Sequence, residues 1–197
     1  SDQSNMDQKQ AATYTLLSKS LVHQQFELFK QSYAFMPKNA AQYKGYNSDN
    51  EQLKNKPDFS NFIWNGANIT PQLKCSTLET LVSQLAQTPK DLLLNVCLGE
   101  YFRSAQGYSL QQLSYSEQQT SSFDGKVFIR GQIYQDLIKS PSKGDLQAYA
   151  LYRAIQCYAP SGINDCGGNE VNKTVRKQWF DQIKTDYPNT SWAKSLK

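Results

Sequence analysis

The 197-residue sequence predicts an all-α fold built of antiparallel helix pairs. Three observations carry that expectation. Apolar residues recur at helical steps of three and four along most of the chain. Proline or glycine closes most of these runs. The stretch from Gly144 to Trp192 also holds two amphipathic segments, each ending in an aromatic–proline stop, joined by a glycine-rich loop fenced by Cys157 and Cys166.

Residues 1–6 are polar and are expected to form a disordered leader, with a single helical domain over 7–197. The first helix is predicted over 7–35, where Tyr14, Leu17, Leu21 and Leu28 interleave with Val22, Phe26, Phe29 and Tyr33 before Pro37 stops it. His23, the only histidine, lies beside that stripe and reads as a surface or boundary residue. Residues 38–58 are polar and turn-rich, as in a loop or linker. The aromatic-rich stretch at 59–74 reads as irregular structure that tucks Phe59, Phe62 and Trp64 against helices, or presents them as an exposed binding strip.

Ser76 and Glu79 have the spacing of a capping box opening a helix through Leu78, Leu81, Val82 and Leu85. Thr88-Pro89 is expected to start the next helix, with Pro in its first turn, and Gly107 to end it. The short connection makes these two helices antiparallel neighbours. Residues 108–123, low in charge and rich in Gln and Ser, read as a second loop. Helices are then predicted over 125–139, 145–158 and 170–186, with a short one from Thr190.

The net charge is +4, with only four arginines and no block of like charge. That excludes the electrostatic footprint of a nucleic-acid binder. No apolar run is long enough to span a bilayer as a helix. The polar opening, with its first Met at position 6, is what a mature domain freed of its targeting segment is expected to show. A lipid anchor on a cysteine upstream of Ser1 is one form of tether.

Four cysteines, Cys75, Cys97, Cys157 and Cys166, lack the close pairs that seed a zinc site. Disulfides of an oxidising compartment fit better than four reduced, buried thiols. Of three connectivities, Cys75–Cys97 with Cys157–Cys166 keeps both bridges local, and chain entropy gives each about 3 kcal/mol. No motif requires a metal or a cofactor, and a single histidine offers no obvious Ser–His or Cys–His pair.

The loop between Cys157 and Cys166 is the foremost candidate site, with Ser161, Asn164 and Asp165 as its polar groups. Tyr149, Tyr152 and Arg153 are further binding candidates as an aromatic–cation cluster, and Trp64 as part of the aromatic strip. Glu100, three residues before Arg103, supports an alternative. There the protein is peptidoglycan-active or glycan-binding, with Glu100 as general acid. Sequons at Asn68, Asn172 and Asn189 fit a eukaryotic secreted protein as a third reading.

An apolar or aromatic residue stands eight positions before five prolines, at Phe29, Leu81, Ile133, Tyr152 and Phe180. In two helices Ile155 and Ile183 also stand five before the proline, and Ala148 adds a small residue. These positions resemble the second-helix pattern of tetratricopeptide repeats, although the intervals are irregular and isoleucine replaces the small third residue. The segment Asp186-Tyr-Pro-Asn-Thr-Ser-Trp-Ala193 resembles the inter-helix turn of bacterial periplasmic and outer-membrane tetratricopeptide-like lipoproteins. Thr190 takes the cap position there and Ala193 the small packing position. The resemblance covers residues 144–197. It implies a right-handed stack of helix pairs, a periplasmic and lipid-anchored location, and a non-catalytic scaffold whose partner is another envelope protein or a peptide.

Overall fold

The computed structural model describes residues 2–43, 56–141, 143–158 and 160–197. The described chain is mostly α-helical, with one short two-stranded hairpin. It divides into two compact units, Ser1–Ile69 with Lys74–Phe128 and Thr70–Leu73 with Ile129–Lys197. No helix among the described residues is long and apolar enough to cross a membrane.

The first unit opens with α1 (Asp2–Val22), which includes most of the stretch expected to be a disordered leader. The long helix predicted over 7–35 is broken, and α2 (Phe26–Tyr33) follows. No proline or glycine causes the break. Gln24 takes a left-handed conformation with φ +57, and the reason is tertiary. The 124–128 segment runs alongside, with Phe128 N–H donating to Val22 O at 2.8 Å and Gln24 Nε2 to Lys126 O at 2.8 Å. Gly125, at φ +101, passes so close that a Cβ there would stand 2.4 Å from His23 O.

Of the loop expected over 38–58, residues 44–55 lie outside the described residues; Ala40–Gln42 forms a 3-10 turn. The aromatic stretch, expected to be irregular, opens with a 3-10 turn over Phe59–Phe62, and Phe59, Phe62 and Trp64 belong to the core. Phe59 and Phe62 meet Tyr14 edge-on at 5.7 and 5.5 Å, and Phe59 meets Tyr43 at 5.5 Å. Strands β1 (Ala67–Asn68) and β2 (Lys74–Cys75) then pair antiparallel, Ala67 opposite Cys75.

In α3 (Leu78–Gln87) the cap is Thr77, whose hydroxyl accepts from Thr80 N–H, and not Ser76. Helix α4 (Leu92–Arg103) starts later than Pro89. Asp91 caps it through Leu94 N–H at 2.9 Å, and the Pro89 carbonyl is held by Asn95 Nδ2. Gly107 precedes α5 (Tyr108–Thr120) and does not end α4. This α5 replaces the loop expected at 108–123. Its inner face buries Leu110 but also Gln111 and Ser114, so its helical period is written largely in polar residues.

The second unit contains α6 (Arg130–Lys139), α7 (Asp145–Gln156), α8 (Lys173–Asp186) and α9 (Ser191–Ser195). Helices α6 and α8 start later than predicted, α8 because Asn172 Oδ1 caps Val175 N–H at 2.9 Å. Helix α7 packs against α6, α8 and α9 and buries Ala148, Leu151 and Ala154. Thr190 caps α9 by accepting from Ala193 N–H, and Ala193 is buried.

A buried amide knits the second unit together. Gln147 Nε2 donates to Ile138 O at 3.1 Å and Ser140 O at 3.3 Å, satisfying carbonyls at the end of α6. Its Oε1 accepts from the Tyr187 hydroxyl at 2.5 Å, just beyond α8.

Candidate functional site

Both cysteine pairs stand at bridging distance. Cys75 of β2 is linked to Cys97 of α4, and Cys157 at the end of α7 to Cys166, each with a Cα separation of 5.3 Å. All four cysteines are thereby used.

The second bridge closes the candidate loop. Leaving α7, the chain needs left-handed backbone at Gly162 (φ +76), Gly167 (φ +73) and Gly168 (φ +80), which glycine supplies without strain. Asp165 N–H donates to Cys157 O at 2.8 Å across its base. Asn164, a candidate contact residue, is consumed internally: its Oδ1 accepts from Cys166 N–H at 2.9 Å and its Nδ2 donates to Gly167 O at 3.1 Å. The Ser161 hydroxyl likewise accepts from Ile163 N–H at 3.1 Å.

Start residues of α6 clasp the other side. Arg130 Nη2 donates to Asp165 O at 2.9 Å, and Gly131 N–H to Cys166 O at 3.0 Å. A Cβ at position 131 would lie 2.8 Å from Gly167 O, so only glycine permits this approach. On the α8 side, Val171 N–H donates to the Tyr158 hydroxyl at 2.9 Å and the Arg176 guanidinium lies 4.5 Å from the Tyr158 ring centre. Ser161 and Asp165 are exposed, and Ile163 stands 69 % exposed between them.

The remaining candidates do not join this loop as one site. Tyr149 is buried with its ring 5.3 Å from Trp192. Tyr152 and Arg153 pair with each other, the guanidinium 5.8 Å from the ring centre. Trp64 is 6 % exposed in the first unit's core, edge-on to Tyr101 at 5.7 Å, and forms no exposed strip. Glu100 is also buried there, with Arg103 Nη2 at 2.6 Å. Sequence reasoning missed Ile163, Arg130 and Arg176. The turn chemistry of Ser161 and Asn164 was a signal that Ile163 is carried at a loop apex, but no local signal pointed to the arginines.

A polar cluster in the first unit also escaped sequence reasoning. His23, expected at the surface or at its boundary, is 2 % exposed. Its Nε2 lies 2.9 Å from Glu117 Oε2 and 3.1 Å from Ser121 Oγ, its Nδ1 3.3 Å from Gly125 O, and Lys19 Nζ lies 2.5 Å from Glu117 Oε1. Serine, histidine and glutamate are thus together, but not as a catalytic triad. In a triad the acid and the hydroxyl face opposite ring nitrogens; here they share Nε2. A carboxylate only accepts, so Nε2 carries a hydrogen and cannot take the Ser121 proton.

Burial pushes the Glu117 carboxyl up, but hydrogen bonds from Lys19, Ser121 and His23, with the Lys19 charge, outweigh it and hold the value at about 2 against an ordinary 4.5. A lowered folded value gives stability that is present above 4.5 and lost as pH falls toward 2. With the Glu117 side chain 10 % exposed and Lys19 30 % exposed, the contribution is roughly 2 kcal/mol after solvent screening. Urea midpoints measured between pH 5 and pH 2 are expected to fall less steeply in Glu117→Gln than in the wild type, because the variant no longer carries that titration.

Among the described residues, no group of three or more His, Cys, Asp or Glu could hold a metal ion. Comparison with protein-family models, curated proteins and solved structures finds no match.

Proposed function

We propose that this protein is a non-catalytic binding scaffold of an oxidising compartment, with the Cys157–Cys166 loop as its contact surface. The observation that carries the reading is Ile163, 69 % exposed on a loop fixed by a disulfide, by Asn164 and by the Arg130–Gly131 clasp. A loop held in one conformation loses little freedom on binding, so its exposed apolar residue contributes more to affinity than on a mobile loop. The partner is a protein or peptide with a small apolar pocket for Ile163 and polar groups for Ser161 and Asp165.

The pairing of α6 with α7 and the capped turn before α9 support a tetratricopeptide-like stack in the second unit. With the two disulfides, they favour the periplasm of a bacterial envelope, with a lipid anchor upstream of Ser1 as part of the same reading. A photo-crosslinking residue at position 163 tests the proposal in cells. A discrete adduct is expected that disappears when Cys157 and Cys166, both buried, are replaced by alanine, a variant whose helical circular dichroism stays at the wild-type level. An adduct that survives opening of the bridge, or the same adduct from exposed position 177, would overturn it.

A further inference from the structure

The first unit contains a cavity of about 320 Å³ between α1 and α5. Tyr14, Thr15, Ser18 and Lys19 border it from α1; Ser109, Leu110 and Leu113 border it from α5. It opens to solvent beside the exposed Thr15 and Ser109, and its size falls within the range of small-molecule sites, about 300–1,000 Å³. Ser18 and Ser109 line it with small side chains.

Most polar groups at this cavity have a hydrogen to give; Thr15, whose hydroxyl donates to Ala11 O at 2.9 Å, is the exception. Asn61 Nδ2 donates to the Tyr14 hydroxyl at 3.2 Å and to Ser109 Oγ at 3.1 Å, so each hydroxyl keeps its own hydrogen to give. The Ser18 hydroxyl is buried without any hydrogen-bond partner, although a helical serine ordinarily bonds back to its preceding turn. Lys19 Nζ gives one N–H to Glu117 and has two more. Glu117 is the nearby acceptor, and Lys19, His23 and Ser121 already occupy it. The walls from Leu110, Leu113 and the Tyr14 ring are apolar.

Donors on one side and apolar walls on the other select an occupant with an acceptor head and an apolar tail. We propose that the α1–α5 cavity binds a medium-chain carboxylate, its head accepting from Lys19, Tyr14, Ser109 and, after a small shift, Ser18, and its tail lying against Leu110 and Leu113. This site is independent of the loop at 157–166.

Decanoate, kept below its micellar concentration and titrated into the full chain by calorimetry, is the test. One saturable site is expected. Ser109→Phe or Leu113→Trp, which fill the cavity, should weaken binding by about tenfold or more with an unchanged helical spectrum, and decanol should bind about tenfold less tightly than decanoate. Ser18→Ala, which removes the unpartnered hydroxyl, should weaken decanoate while raising the melting temperature of the free protein. Absence of saturable binding, or binding indifferent to both cavity-filling variants, would overturn the site. Equal affinity for decanol would overturn the carboxylate assignment.

Discussion

Replacing Gln147 by alanine is expected to lower the stability of the second unit by about 2–4 kcal/mol. The side chain is buried, and its amide is the partner of two carbonyls at the end of α6 and of the Tyr187 hydroxyl. Alanine leaves all three part-buried groups without this partner, and the loss of an unreplaced partner costs more than the bond itself contributes. Leucine should not rescue it, because it fills the space without offering a donor. Tyr187→Phe removes one of these bonds and should cost about 1 kcal/mol, with the two changes less than additive. The readout is the guanidinium midpoint followed by tryptophan fluorescence near Trp179, with an unchanged slope.

Removing the Cys75–Cys97 bridge should cost the first unit about 3 kcal/mol. The bridge ties the hairpin to the middle of α4, closing a separation of 22 residues. Both cysteines are buried, so alanines are the appropriate replacements; serines would add buried hydroxyls and confuse the result. The double alanine variant should unfold well below the oxidised protein, and the reduced wild type, which loses the Cys157–Cys166 bridge as well, should be no more stable than the variant. If the oxidised and reduced proteins unfold together, the bridge contributes no stability.

What the sequence made legible follows from where each signal lies. The helical class, the local cysteine pairing and the Thr190 cap rest on patterns spanning a few residues, and such patterns survive folding. The break at Gln24 was hidden because its cause lies about a hundred residues away, in the passage of Gly125 and Phe128. Helix α5 was hidden because Gln111 and Ser114 occupy its buried face, and hydropathy reads a polar residue as exposed. His23 was misplaced for a related reason, since its partners Glu117 and Ser121 come from the segment read as a loop.

The candidate loop shows the same division. Its cysteines and glycines marked a rigid connection, but they did not show that Asn164 would be used up inside it. Nor did they show that Arg130 and Gly131, from another helix, would fix it. Helical periodicity reports which face of a helix is buried, not which of the two units receives it.

A disulfide-fixed contact loop requires that the bridges exist in the protein's own compartment. Alkylating free thiols in whole cells, followed by non-reducing peptide mass spectrometry, tests that directly. The expected result is linked Cys75–Cys97 and Cys157–Cys166 peptides and no alkylated cysteine. Four freely alkylated cysteines would contradict both the oxidising compartment and the fixed loop.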